Sequence, residues 1–285
     1  MPEAEAVTTS DLRSDCGSCF GLCCVALTLT KSSDFAIDKP AGKPCPNLGE
    51  DFGCGIHSKL RGEGFSGCTV YDCFGAGQKL SQVTFGGVGW REEPGSAELM
   101  FPLLPVMKQL HELLWYVGDG LRRGAARPVW GELGVLRDET EALTRGSAEE
   151  LVALDAEGHR LRVNGVLVRV GELVRGEWAA QVPPAKKKGK KRRVDFRGAD
   201  LMGARRAGAD LRGMNFRGAY LIAADLSGAD LRGAEVIGAD FRDADVRGAD
   251  LSEALFLTQT QVNAGRGDLA TRIPDGLVRP GHWVG

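Results

Sequence analysis

No cysteine follows residue 73, histidine occurs only four times, and aromatic residues make up 7% of the chain. Thiol chemistry and disulfide stapling are therefore excluded from everything beyond the first quarter. Long apolar runs are also missing. Val25 to Leu29 is one of the longest, far below the roughly 20 residues that cross a bilayer, so no helical membrane span is expected. The net charge of −2 lacks the basic excess of a general nucleic-acid binder. There is no phosphate loop, no G-x-G-x-x-G unit, no nucleophile elbow and no H-E-x-x-H, and the carboxylates are scattered. The opening MPEAEAVTTSDLRSD has neither a basic nor an apolar signal region. A cytoplasmic protein is expected, in a compartment where disulfides are rare.

What is present is a crowd of thiols. Cys16, Cys19, Cys23, Cys24, Cys45, Cys54, Cys68 and Cys73 are all of the cysteines, and the first four fall within "DCGSCFGLCC". Disulfides would require an oxidising compartment, and a bridge between neighbours such as Cys23 and Cys24 is strained. Metal ligation explains the clustering directly, because short spacings let several thiolates converge on one ion, and the interspersed glycines permit the turns. Eight thiols suit two four-coordinate ions, or an iron–sulfur cluster plus another site. His57, three residues after Cys54, is either a ninth ligand or a hydrogen-bonding neighbour. Among the other histidines, His111 reads as packing, while His159 and His282 read as exposed.

The ordered pieces C-x2-C-x3-C-C, Cys45-Pro-Asn-Leu, Cys54-Gly-Ile-His and Cys68-x4-Cys73 resemble the YkgJ-like cysteine-cluster family, a family of zinc- or iron-chelating domains. The likeness covers about 60 residues. It departs at His57, where an aromatic is usual, and at "LRGEGFSG", where Arg-Pro usually precedes the next cysteine. The resemblance implies metal binding by the eight cysteines, and it implies no particular reaction.

Residues 1–14 read as a disordered lead and 15–95 as the cysteine domain. Residues 96–176 read as a helical domain. Its first helix carries the stripe Leu103, Met107, Leu110, Leu114 and Val117 at three- and four-residue intervals. Pro102 and Pro105 suit a first turn or a kink. A second helix is expected over Val129 to Leu143. Ser147 with Glu150 makes a capping box, and "HRLRVNGVLVRVGELVRG" reads as a third long helix despite its β-branched residues and Gly165. Residues 177–193, "EWAAQVPPAKKKGKKRR", form a basic linker, either a solvated tether or a patch for nucleic acid.

From Val194 the chain divides into fives, beginning VDFRG, ADLMG, ARRAG and ADLRG. Neither a helix nor a strand keeps a five-residue apolar period on one face. A coil with four sides, one pentad per side, does. It stacks every twentieth residue, placing Phe196, Phe216, Val236 and Phe256 in one column and Leu211, Leu231 and Leu251 in another. This pattern resembles the pentapeptide-repeat family and implies a right-handed quadrilateral β-helix over 194–263, with 264–285 as a tail or cap. Arg206 occupies an apolar position and predicts a distorted or open first coil.

The chain is thus expected to be multidomain α+β: a small cysteine-rich metal-binding segment with a helical bundle, then the β-helix. The leading functional reading is a zinc- or iron-binding docking, scaffold or regulatory protein that meets a protein partner through its β-helix. An iron–sulfur oxidoreductase or modifying enzyme is the alternative, with the repeats recruiting substrate. A further alternative is a DNA- or gyrase-associated regulator, since some pentapeptide-repeat proteins present an acidic rod that looks like DNA. Between Val194 and Thr258, however, eleven acidic residues face eight arginines, and at about 5 Å per coil the rod is only roughly 15 Å long.

Overall fold

The computed structural model describes residues 11–181 and 194–283. The disordered lead expected over residues 1–10 and the basic stretch 182–193 lie outside them. Two compact units emerge: Met1–Gly118 with Gly131–Gly165, and Asp119–Trp130 with Val166–Gly285. No helix among the described residues is long and apolar enough to cross a membrane.

The first unit opens with short elements: α1 (Leu22–Ala26), α2 (Ser66–Val70) and α3 (Ala76–Lys79). Residues 11–14, expected to be disordered, are tied down instead. Leu12 is buried, and Gln78 Nε2 donates to the Arg13 carbonyl at 2.6 Å. The long helix α4 (Ser96–Arg122) buries its predicted stripe. Its Met100, Leu103, Met107 and Leu110 share a core with Leu22 and Leu80. Pro102 and Pro105 lie inside α4 rather than in its first turn.

α5 (Trp130–Leu143) and α6 (Ala148–Val152) follow, and the Ser147–Glu150 capping box forms as expected. α7 spans Ala156–Ala180, through Gly165. Its buried stripe of Val163, Leu167, Val170 and Val174 offsets the poor local propensity. Glu177–Ala180, read from sequence as linker, are the last turn of this helix. His111 is packed as expected, its Nδ1 2.7 Å from the Phe74 carbonyl. His159, expected to be exposed, is buried because its Nε2 meets Thr140 Oγ1 at 2.8 Å.

In the second unit the pentads coil with a twenty-residue return. Parallel bridges join Asp195 to Asn215, Asp200 to Tyr220, Arg205 to Asp225 and Asp210 to Asp230, and the pattern continues up the stack. These are isolated bridges, and no extended strand forms among the described residues. Each corner follows from composition. The third-position carbonyl accepts from the amide three residues on, as Ala199 to Phe196 at 3.0 Å, and the fifth residue takes positive φ, near 60° at Gly198, Gly203 and Gly208. The second-position carboxylate then caps the turn, as Asp200 Oδ1 accepts from Met202 N at 3.1 Å. The predicted aliphatic and aromatic columns, with the first-position alanines, fill the interior as far as Val236 and Leu251; Phe256, expected next in its column, takes φ 64° and Leu257 joins the interior cluster instead. Phe196 and Phe216 stack with centroids 5.3 Å apart.

Two expectations are corrected. Arg206 does not distort the first coil: its amide keeps register on the Asp225 carbonyl at 2.8 Å, while its side chain bends out to the Arg205 carbonyl. After Thr258 the chain forms α8 (Gln259–Ala264) instead of a final pentad. Gln261 Nε2 donates to the carbonyls of Val236 and Ala239, and buried Trp283 donates from Nε1 to Gly265. The coil is thereby closed, with the returning chain still bridged at Arg266 and Arg272.

Candidate metal centre

The eight thiols are carried by short, turn-rich segments. Cys16 and Cys19 flank a 3-10 turn capped by Asp15, whose Oδ1 accepts from Gly17 N at 3.0 Å. Cys23 and Cys24 sit on α1, which begins after Gly21 at φ 64°. Glycine is required there, because a Cβ would also lie 2.5 Å from Leu48 Cδ1. Cys45 N donates to the Cys24 carbonyl at 2.9 Å, Cys54 bridges to Leu48, Cys68 lies on α2, and Cys73 precedes α3.

Packing divides these cysteines. Cys24, Cys45, Cys54 and Cys68 share one apolar cluster with Leu29, Leu60 and Phe65, whereas Cys19 and Cys73 border a different one around Leu22 and Ala76. A Cβ on Gly77 would lie 2.7 Å from Cys19 Sγ and 3.7 Å from Cys73 Sγ, so these two sulfurs converge on one point. Electrostatics link the two groups through Cys24, which acts on both Cys16 and Cys68. Burial and then the thiols of Cys73, Cys19 and Cys24 push Cys16 up to about 11. Burial and then Cys24, Cys45 and Cys54 push Cys68 to about 11. The adjacent pair straddles the boundary. Hydrogen bonding between Cys23 and Cys24 raises the former and, against burial and with help from the Lys39 ammonium, lowers the latter to about 7. Cys24, Cys45, Cys54 and Cys68 thus form one packed group, and Cys19 and Cys73 converge in another.

All eight are free thiols. Among the described residues, no group of three or more His, Cys, Asp or Glu side chains is already drawn into a geometry that could hold a metal ion. His57 is exposed, in the turn that starts from the Cys54 carbonyl. Two groups beside the thiols were not singled out from sequence. Tyr71 Oη is buried without a hydrogen-bond partner. Burial raises its pKa first, followed by the charges of Cys73, Cys23, Asp72 and Cys19. Lys39 is 4% exposed, and its Nζ donates to the carbonyls of Val25, Leu27, Pro40 and Lys43. Tyr71 stood in view between two cysteines, in "CTVYDC". Nothing local marks Lys39 as buried.

The pentapeptide-repeat description "Pentapeptide repeats (8 copies)" matches residues 192–218, 199–236 and 219–256. The uncharacterized protein YybG of Bacillus subtilis (strain 168) is 54% identical over 273 residues, covering 96% of this chain and 95% of the relative. Among solved structures, a pentapeptide repeat protein from the Arabidopsis thaliana thylakoid lumen is 25% identical over 36% of this chain and 69% of its own, with a TM-score of 0.17. The pentapeptide repeat protein Rfr23 of the cyanobacterium Cyanothece 51142 is 24% identical over 34% of this chain and 67% of its own, with a TM-score of 0.12. Related to YybG along nearly its whole length and carrying the repeat from Val194 onward, the chain belongs to the pentapeptide-repeat family.

Proposed function

We propose that this protein binds two metal ions in its N-terminal segment and uses its pentapeptide coil, a right-handed quadrilateral β-helix, as a docking or scaffold module for a protein partner. The observation that carries the metal reading is the gathering of eight free thiols: Cys19 and Cys73 converge beside one apolar cluster, and Cys24, Cys45, Cys54 and Cys68 share another. With Cys16 and Cys23 taken to complete the first set, each would offer the four donors of a closed tetrahedral site. The buried, unpartnered Tyr71 hydroxyl beside the first set supports it, since a metal-bound thiolate would accept its hydrogen bond. The raised thiols also fit. Crowding opposes ionisation of neighbouring sulfurs, and a divalent cation removes that repulsion. His57 then falls outside both spheres. Zinc would act as a staple in a segment with little core, whereas an iron–sulfur cluster would bring electron transfer and the enzyme reading.

On the repeat surface, Asp210, Asp230 and Asp250 are interleaved with Arg212, Arg232 and Arg272 at 2.6–3.7 Å. That alternation offers paired charge rather than a DNA-like acidic stripe, and so favours docking to protein over the gyrase reading. The test is metal counting on single-set variants. Cys45→Ser and Cys73→Ser should each lose one ion and keep the other, and together they should lose both. Loss of both ions from either single variant, or no ion in the parent protein, would overturn the two-site reading. Brown colour in the anaerobic protein would select the cluster.

A further inference from the structure

Toward solvent, the coil commonly carries a carboxylate at the second position of a pentad and arginine or serine at the fourth, bonded to each other. Asp230 Oδ2 accepts from Arg232 Nη2 at 2.6 Å, and Asp225 Oδ1 accepts from Ser227 Oγ at 2.7 Å. The pentad at 219–223, AYLIA, departs at every outward position: Tyr220 stands for the carboxylate, Ile222 for the arginine and Ala223 for the corner glycine. The last pentad, ALFLT, departs likewise, but its Leu255 and Leu257 are buried. At AYLIA the apolar groups face solvent. Tyr220 is 52% exposed, and Met202, one coil before Ile222, is 57% exposed. The bridges from Asp200 to Tyr220 and from Tyr220 to Asp240 place these residues on one side of the coil.

The corners of the same side carry a second irregularity. The left-handed corners of the coil are glycine except at Ala223 and Asp243, with φ 54° and 56°, which stand one above the other where this side ends. A side chain is strained in that conformation. Both residues are exposed, and the Asp243 carboxylate has no hydrogen bond or ion pair among the described residues. Neither side chain serves the fold, and strain kept without an internal partner marks a contact outside the coil. Charge and size describe that contact. Asp200 Oδ1 accepts from Met202 N, and its carboxylate, like that of Asp243, pairs with no cation among the described residues. Arg242, on the same side, is held by Asp240 at 2.7 Å. Two uncompensated negative charges therefore flank the apolar strip, about 10 Å apart along the coil. The strip is about 15 Å by 10 Å, on the order of 150 Å². A specific interface between folded proteins takes about 800 Å² from each partner, so this strip suits a short segment and not a second copy.

Building on the docking reading of the coil, we infer that this side is the docking surface and that its occupant is a short extended segment of a partner protein. An aliphatic or aromatic side chain of that segment covers Met202, Tyr220 and Ile222. A lysine or arginine on either side of it, the two standing roughly three or four residues apart, reaches Asp200 and Asp243.

The probe is a phage-displayed library of random short peptides, selected on the full-length protein. Enriched peptides should carry the basic–apolar–basic pattern, and fluorescence polarisation of the tightest should weaken as salt rises. The triple variant Tyr220→Asp, Ile222→Arg and Ala223→Gly restores the pentad ADLRG found at 209–213 and 229–233, so it should melt no lower than the parent. It should nonetheless bind that peptide at least about 10-fold more weakly, the scale of a lost anchoring residue. Asp200→Asn with Asp243→Asn should weaken binding less and remove most of its salt dependence. Ser227→Arg, on the next side of the coil, should change nothing. A peptide that binds the triple variant as tightly as the parent would overturn the inference and leave docking elsewhere on the coil intact. Enriched peptides without basic residues would overturn it too, as would a parent dimer in sedimentation that the triple variant abolishes. No enrichment at all would remove the docking reading along with it.

Discussion

At the residue scale, the corner glycines of the coil show that identical letters carry different requirements. Gly228 and Gly233 both have φ above 60°, but a Cβ at Gly228 meets only a backbone atom at 4.0 Å, whereas one at Gly233 would lie 2.0 Å from Trp178 Cδ1. Gly228→Ala should therefore cost only the backbone term of about 1–2 kcal/mol. Gly233→Ala should cost clearly more, because α7 must shift, and thermal melts of the two variants compare them. Ala223 holds the same left-handed position at φ 54° without being glycine. Ala223→Gly should leave stability unchanged or raise it by up to about 1 kcal/mol, the strain relieved less the added chain entropy.

His111 gives a pH dependence. Burial chiefly lowers its pKa to about 4, from an ordinary 6.5, so the folded protein binds fewer protons than the unfolded chain between those values. Its contribution is complete above pH 6.5 and is lost as pH falls toward 4, on the order of 3 kcal/mol in all. Denaturant midpoints of the parent should therefore fall over that window more steeply than those of His111→Asn. Equal slopes would contradict the assignment. This burial was legible in the sequence from the helical stripe flanking His111. That of His159 was not, since its polar partner Thr140 lies on another helix.

At the scale of elements, the sequence announced the coil clearly because every pentad repeats the same division of labour: small and apolar residues inward, carboxylate on the turn, glycine at the corner. What it did not announce was which side is covered. Above Asp195, its column continues with Asn215, Glu235 and Leu255 in place of Asp at the second position, and all three are buried. Arg175 of α7 stands 2.9 Å from Glu235 Oε2, and Arg217 Nη1 donates to its Oε1 at 2.9 Å. The break in the Asp column at twenty-residue spacing was the available signal. Glu235→Ala should destabilise the protein by roughly 3 kcal/mol, because it removes the buried carboxylate that pairs with two largely buried guanidinium groups. Asp200→Ala, at a solvated turn, should cost much less. The ending was misread for a related reason. "TQTQVN" fits a pentad poorly yet is a good helix start, with Thr258 and Gln261 forming a capping box. Trp283→Ala should cost about 3–5 kcal/mol by opening that closed end, measured as loss of unfolding free energy.

At the scale of the whole molecule, the repeat and the cysteine segment gain stability in different ways. The coil is held by ladders and a continuous core, each turn resting on the next. The cysteine segment has little regular structure and only small apolar clusters, so the metal binding proposed for it would supply stability that packing does not. Sequence spacing was enough to propose thiolate ligation, but could not show that Cys24 packs with Cys45, Cys54 and Cys68 while Cys19 packs with Cys73. Only the fold separates them. The most direct measurement is elemental analysis of freshly purified full-length protein, with thiol titration before and after a strong chelator. The account predicts two ions per chain, with thiols that react fully only after the metal is removed. Metal-free protein that is folded, with eight reactive thiols or four disulfides, would contradict it.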